Sequence, residues 1–311
     1  MKKIKGEKIK MEIPNFLYEK LLKQYGEELT NKIIEGYSKN RPVTLRVNTL
    51  KNNIQNVRGI LENLGYNVQQ VEWCKDALII ENISEGEIRK LDIYNNGEIY
   101  MQSLSSMMPV IMLEPKAEEN ILDMAAAPGG KTTQIAAETE DKAFITACEK
   151  NKIRAERLKY NIEKQGAKRI TVLTQDAREL DNYFSFDKIL LDAPCSGSGT
   201  IDLKNEKLEK IFTEELVTRS VKIQLELLKK AIAVLKPGRE MIYSTCSILK
   251  EENEENLSKI LKSGKVEIVP IDIEKEVFKD IPLLPVNIQG TVCVCTNELY
   301  EGFFIARLKK K

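Results

Sequence analysis

The sequence predicts an α/β fold: a doubly wound, mostly parallel sheet preceded by a small α+β unit. Three observations carry this reading. From residue 103 onward, short apolar runs alternate with amphipathic helical stretches across short turns, the pattern of parallel strands joined by crossover helices. The first of these runs leads into a Gly-rich turn that opens a helix, as open parallel sheets do at their ligand edge. Ahead of them, strand and helix patterns are short and lack that regular alternation. Two units are expected, residues 1–98 and 99–311.

Taken in order, Ile13 to Tyr37 has helical spacing in Phe16, Leu17, Leu21, Leu22, Tyr25, Leu29, Ile33 and Ile34, and Arg41-Pro42 breaks it. Pro42 to Val47 alternates as a strand, Asn52 to Leu64 is a helix ended by Gly65, and short strands are expected near Tyr66–Val71 and Ala77–Ile80. Ser103 to Leu113 is helical. Strands follow at Ile121–Met124, Ala143–Cys148, Arg169–Leu173, Lys188–Leu191 and Glu240–Tyr243. The helices between them are Lys131–Glu138, Lys152–Gln165 (stopped by Gly166) and Glu214–Leu235 (ended by Lys236-Pro237-Gly238). The tail carries β-rich stretches at Thr291–Thr296 and Gly302–Arg307, close enough to pair antiparallel.

Composition excludes more than it assigns. Apolar residues are 42% and charged residues 31%, ordinary for a globular protein. A net charge of +1 says nothing about partners, though Met1–Met11 holds five lysines against one glutamate and the chain ends Arg307, Leu308, Lys309, Lys310, Lys311. There is no histidine, so acid–base work falls to Asp, Glu, Lys, Cys or water. Six cysteines without a CxxC argue against a zinc ribbon and a disulfide scaffold, and no metal is expected. Cys293 and Cys295 share a strand face, and Cys74 and Cys148 sit in apolar runs; all read as small buried side chains. The N-terminus lacks an apolar leader and no segment approaches a membrane span. A soluble, cytoplasmic, monomeric protein is expected.

The turn Ala125-Ala126-Ala127-Pro128-Gly129-Gly130-Lys131-Thr132 loosely imitates a phosphate-binding loop, and a nucleotide hydrolase is a competing reading. Pro128 removes a backbone N–H from such a cradle, and Ala125 stands where the first glycine belongs. Glu149 ends the next strand, about 20 residues beyond the turn, where an acid suits ribose hydroxyls. Asp176, after the third strand, suits an adenine amino group. With Asp123 and Asp192 nearby, the set favours a cationic, adenosine-bearing cofactor without phosphates, and S-adenosylmethionine has that chemistry.

Cys195 in LDAPCSGSGT and Cys246 in MIYSTCS each lie just past a strand end, among Pro, Ser and Gly. Beside a methyl donor a thiol has a natural use. Carbon 5 of a pyrimidine is too weak a nucleophile to attack a sulfonium methyl, and a thiolate adding at carbon 6 makes it enamine-like. An acid at N3 would stabilise the adduct, and Asp192 is the nearby candidate. An ordinary thiol, with a pKa of about 8.5, is already a few per cent thiolate at neutral pH.

ILDMAAAPGGKTTQIA (Ile121–Ala136), LDAPCSGSGT (Leu191–Thr200) and YSTCSILKEENE (Tyr243–Glu254) resemble the Nop/Sun (Fmu) family of RNA cytosine-5 methyltransferases. RPVTLRVNTLK (Arg41–Lys51), YMQSLSSMM (Tyr100–Met108) and EGFFIA (Glu301–Ala306) extend the resemblance over roughly residues 14 to 306. It implies a Rossmann-like class I methyltransferase domain with a C-terminal antiparallel strand. It implies Cys246 as the nucleophile, Cys195 as the thiol that helps release product, and Asp192 at the N3 edge. Ala125, Ala126, Ala127, Pro128, Gly129, Gly130, Lys131, Glu149, Asp176 and Asp192 fall on its S-adenosylmethionine-binding positions, with Arg154 in support. The second, Thr-Cys thiol separates the chain from DNA cytosine-5 methyltransferases, which attack with the Pro-Cys thiol. The implied partner is RNA, ribosomal first and transfer RNA second. The chain departs from the family in having no room for an added RNA-binding domain and in having Cys295-Thr296 where Pro-His is frequent. RNA grip is then expected from the N-terminal unit, the basic ends and the cleft. A catalytically idle RNA-binding protein of ribosome assembly is the remaining reading.

Overall fold

The structure is a computed structural model, describing residues 13–205, 207–272 and 280–311; the basic stretch Met1–Met11 lies outside them. Its first sheet is four-stranded and antiparallel, from β1 (Val43–Val47), β2 (Asn67–Gln70), β3 (Ala77–Glu81) and β4 (Ile99–Met101), in the order β2-β3-β1-β4. Leu45, Val47, Leu78 and Ile80 alternate onto one face and close over Val57 and Leu61 of helix Ile54–Asn63. β4 pairs with β1 through Leu45–Met101 and Val47–Ile99, so the first sheet draws its edge strand from residues just past position 98.

Among the described residues the second sheet has nine strands. β5 (Asn120–Asp123), β6 (Phe144–Cys148), β7 (Ile170–Leu173), β8 (Phe186–Asp192) and β9 (Leu235–Thr245) run parallel in the order β7-β6-β5-β8-β9. β10 (Val266–Val269), β11 (Leu283–Leu284), β12 (Val292–Val294) and β13 (Phe303–Lys310) complete it. β13 pairs antiparallel with β9, and β12 antiparallel with β13, as the tail spacing predicts. The order reverses between β5 and β8, which opens a crevice at their carboxyl ends.

Period-two alternation places Ile121, Ile145, Leu190 and Ile242 on one face, against helices Leu104–Leu113, Gly130–Glu138 and Lys152–Gln165. Leu122, Ile189, Leu191 and Tyr243 face the other way. There they meet helices Asn15–Ser38, Glu214–Val234 and Glu254–Leu261. The N-terminal helix therefore packs on the large sheet: Leu17, Leu21, Ile33 and Ile34 are buried in that core.

Two elements differ from their sequence reading. The first helix is interrupted at Gly26, whose φ of 75° is open to glycine alone at low cost. Lys236-Pro237-Gly238 does not separate helix from strand, because β9 begins at Leu235, opposite Phe186, with an irregularity between Phe186 and Lys188. Among the described residues no helix is long and apolar enough to cross a membrane.

The basic C-terminal run is not a free tail. Arg307 to Lys310 belong to β13. Lys309 pairs with Glu240, midway along β9, and Lys310 reaches Leu235 at its start, whereas Phe304 pairs with Thr245 at its end. The run thus lies at the sheet edge opposite the thiols. Arg307 donates to the Met112 carbonyl, and Lys310 Nζ to that of Leu235 at 2.7 Å.

Candidate active site

β8 and β9 are neighbouring parallel strands, so the loops that follow them leave the same edge about 5 Å apart. That adjacency brings the thiols together: Cys195 Sγ and Cys246 Sγ are 3.1 Å apart, both free and partly exposed. Asp192, the last residue of β8, pairs with Ser244 of β9. The Ser244 hydroxyl donates to Asp192 Oδ1 at 2.8 Å. Lys131 Nζ donates to Asp192 Oδ2 and to Ser106 Oγ, both at 2.7 Å.

The two loops are welded to each other. Gly199 N donates to the Cys246 carbonyl and Gly302 N to that of Gly199, each at 2.9 Å. A β-carbon on Gly199 would stand 1.9 Å from the Gly302 oxygen, so the contact requires glycine. The Glu252 carboxylate, fully buried, accepts from Ser196 N (2.8 Å), Ser196 Oγ (2.6 Å), Gln224 Nε2 (3.0 Å) and Ser247 Oγ. It joins the residue after Cys195 to the residue after Cys246 through one group. The N-terminal helix braces the same loops: Tyr37 donates to the Ser198 carbonyl, and Tyr25 and Gln24 donate to that of Ile248 at 2.6 and 2.8 Å.

The thiols are not equivalent. The adjacent Cys246 sulfur, burial and the Glu252 carboxylate all push the Cys195 thiol well up. The raised thiol disfavours Cys195 as a thiolate, and in the 3.1 Å pair either sulfur can be the donor. Cys74 and Cys295 are pushed up to about 11, and Cys148 and Cys293 to about 12, by burial. All four are core side chains. Among the described residues no group of three or more His, Cys, Asp or Glu side chains is placed to hold a metal.

The Gly-rich turn lies at the end of β5. A cavity of about 220 Å³ there is lined by Asp123, Ala125, Ala126, Ala127, Pro128, Gly130, Lys131 and Asp192, with Tyr100–Ser103 and Ser106 opposite. Gly129 points away, toward Leu158. Burial pushes the Asp123 carboxyl up to about 6, against the Thr132 hydroxyl that donates to it at 2.7 Å. Glu149 and Asp176 follow β6 and β7 along the same edge but do not line this cavity. Glu149 is buried, accepts from Asn151 N at 2.9 Å and lies 3.6 Å from Arg154. Arg154 also donates to the Ala127 carbonyl at 2.6 Å, tying acid to turn. Arg178 engages both oxygens of Asp176, at 2.7 and 3.0 Å, and holds its carboxyl below the usual range.

This pocket suits a cationic ligand better than a phosphate. Ala126 N is spent on the Cys148 carbonyl and Gly129 N on that of Ala126, and Pro128 has no N–H. Lys131 is already held by a carboxylate. What remains are small side chains and acids, a setting for a sulfonium and an amine rather than for a triphosphate.

Comparison with known proteins agrees with this geometry. Residues 110–309 match the family model described as 16S rRNA methyltransferase RsmB/F, and residues 13–85 match one described as Methyltr_RsmF/B-like, ferredoxin-like domain. A 28S rRNA (cytosine-C(5))-methyltransferase of Mus musculus is 34% identical over 310 residues, covering 95% of this chain and 38% of that protein. A ribosomal RNA small subunit methyltransferase F of Vibrio vulnificus (strain YJ016) is 35% identical over 278 residues, covering 86% of this chain and 57% of that protein. The chain thus spans 38% and 57% of the length of these relatives. A solved methyltransferase homolog protein from Pyrococcus horikoshii superposes with a TM-score of 0.80 at 31% identity, over 95% of this chain and 99% of that one. NSun6 from Pyrococcus horikoshii, determined with SFG, gives 0.85 at 25% identity, over 96% and 98%.

Proposed function

The chain belongs to the 16S rRNA methyltransferase RsmB/F family, and from that premise we propose that it methylates carbon 5 of a cytosine in RNA, with S-adenosylmethionine as donor. Ribosomal RNA is the first substrate class and transfer RNA the second. The reading includes action in the cytoplasm as a monomer, with residues 1–98 as an RNA-facing accessory unit and 99–311 as the methyltransferase domain. One observation carries it: two free thiols, 3.1 Å apart, stand one strand from an acid-lined pocket.

The cofactor, when bound, supplies an electrophilic methyl group on a sulfonium. Ala125–Lys131, Asp123 and Asp192 would hold its cationic end, and Glu149 and Asp176 its nucleoside. Cys246 Sγ attacks carbon 6 of the target base, and the ring's electrons move to carbon 5. N3 takes up the proton that the Cys246 thiol gives up, and Asp192, oriented by Lys131 and Ser244, accepts a hydrogen bond from that N3–H. After transfer the carbon-5 proton passes to water, the C6–S bond breaks with its electron pair returning to Cys246 Sγ, and the N3 proton returns to that sulfur. The Cys195 S–H is poised to stabilise that departing thiolate. The target base must be unstacked for this chemistry.

The test supplies labelled S-adenosylmethionine and RNA, and identifies the product nucleoside by mass spectrometry. 5-Methylcytidine is expected, and a methyl group at any other atom overturns the reading. Calorimetry is expected to show binding of S-adenosylmethionine and none of ATP with magnesium. Cys195→Ala is expected to leave protein covalently attached to RNA, seen as a retarded band on a denaturing gel. Wild-type turnover with no such band would remove Cys195 from product release.

A further inference from the structure

A cleft of about 880 Å³ lies between the first sheet and helix Lys152–Gln165, beyond the candidate active site. The helix buries Ala155, Leu158, Ile162 and Gln165. Its other stripe, at helical spacing, presents Arg157, Tyr160 and Lys164 to the cleft. Tyr160 is 62% exposed and has no packing role in the core. Arg157 is exposed and, among the described residues, makes no ion pair. Lys164 Nζ stands 3.7 Å from the centroid of the Tyr94 ring on the facing wall, and no acid pairs with it among the described residues. Arg89 lies 5.7 Å from the same ring, and its own partner is Glu85, at 2.9 Å. The cleft therefore carries the exposed Tyr160 ring beside two cations, Arg157 and Lys164, that have no acid partner among the described residues, with Glu85 and Glu301 elsewhere on its lining.

It is continuous with the site. Tyr100, Met101, Gln102, Ser103 and Pro128 line both the cleft and the 220 Å³ cavity. Asn161, on the same stripe, donates to the Pro128 carbonyl at 2.8 Å, fixing the helix to the cofactor turn. A strand whose base meets a cofactor held in that cavity has this cleft as its neighbouring space. The basic C-terminal run, at the opposite sheet edge, cannot serve that strand.

We propose that this cleft is the track of the single-stranded RNA segment flanking the target base, with Tyr160 stacking on a base and Arg157 and Lys164 neutralising phosphates. The inference rests on the reading that the substrate is RNA. Interleaved aromatics and cations are what a flexible single strand requires, since every base has a stacking face and every step a phosphate.

Fluorescence anisotropy with a labelled single-stranded RNA of about 12 nucleotides tests it, on the full chain. Tyr160→Ala is expected to weaken binding about tenfold, the loss of one stacked base. Arg157→Ala with Lys164→Ala is expected to lower the slope of log affinity against log salt by about 1.4, two phosphates on a single strand. S-Adenosylmethionine affinity, read by calorimetry, is expected to stay within twofold in both variants, reporting an intact fold. Wild-type affinity and salt slope in both variants would overturn the track. So would equal use of these residues for a perfect duplex, or failure of the wild type to bind RNA. If the wild type binds RNA but methylates none while the variants lose affinity, the track stands and the proposed activity falls.

Discussion

Replacing Cys246 with alanine is expected to abolish methyl transfer, by at least about 10³-fold in the single-turnover rate, as removal of an attacking nucleophile does. S-Adenosylmethionine affinity should be unchanged. The expectation follows from the asymmetry of the pair. The Cys195 thiol is pushed well up by its neighbour, burial and Glu252, which disfavours it as the attacking thiolate. The side chain is small, partly exposed and past the end of β9, so its truncation opens no core cavity. Labelled methyl transfer measures the first effect and calorimetry the second. Near-normal turnover in Cys246→Ala would make Cys195 the attacking sulfur and invert the mechanism.

Glu252→Ala is expected to destabilise the protein by about 3–5 kcal/mol, because it strips a buried, hydrogen-bonded charge site and strands its donors. The Ser196 amide and Gln224 Nε2 both donate to Glu252 Oε1, and Gln224 Nε2 also to the Pro194 carbonyl at 3.0 Å, so removing the carboxylate takes one acceptor from each. A melting midpoint lower by roughly 10 °C is the corresponding thermal reading. Glu252→Gln is the informative companion. It keeps one oxygen for those two amides and offers an N–H₂ to the hydroxyls of Ser196 and Ser247, which can turn to accept. It should melt within a few degrees of the wild type. It also removes the negative charge that helps hold the Cys195 thiol up, so Cys195 should ionise at lower pH, measured by alkylation rate against pH in a Cys246→Ala background. An unmoved alkylation profile would show that Glu252 acts on the loops alone, and an unmoved melting point in Glu252→Ala would remove it from the weld.

Much of the candidate site was legible in the chain because its chemistry is local. Cys195, Cys246 and the turn at Ala125–Lys131 each follow a strand, and strand ends on one sheet edge converge whatever the loops do. Glu252 was not legible. Glu251 and Glu252 are adjacent and chemically identical, yet Glu251 pairs with Lys20 near the surface while Glu252 is fully buried between two loops. No periodicity distinguishes them, because the donors that select Glu252 come from positions 196, 224 and 247. Lys131 is similar. Its place in a Gly-Gly-Lys-Thr string suggests a phosphate, and only the arrival of Asp192 and Ser106 shows that it is occupied.

By itself, then, the sequence determined the alternation of strands and helices from residue 103 through β9, the antiparallel pairing near the end of the chain, and the strand-end positions of Cys195, Cys246 and the Gly-rich turn. These follow from side-chain period, turn chemistry and intrinsic functional groups, which are properties of neighbours along the chain. Tertiary structure alone decided that the thiols touch, and that the first helix braces the loops that carry them. It also placed the basic C-terminus on the far edge and opened a cationic, aromatic cleft beside the pocket. Those depend on which distant backbone segments become adjacent, and on the burial and charge that each group meets only once they do.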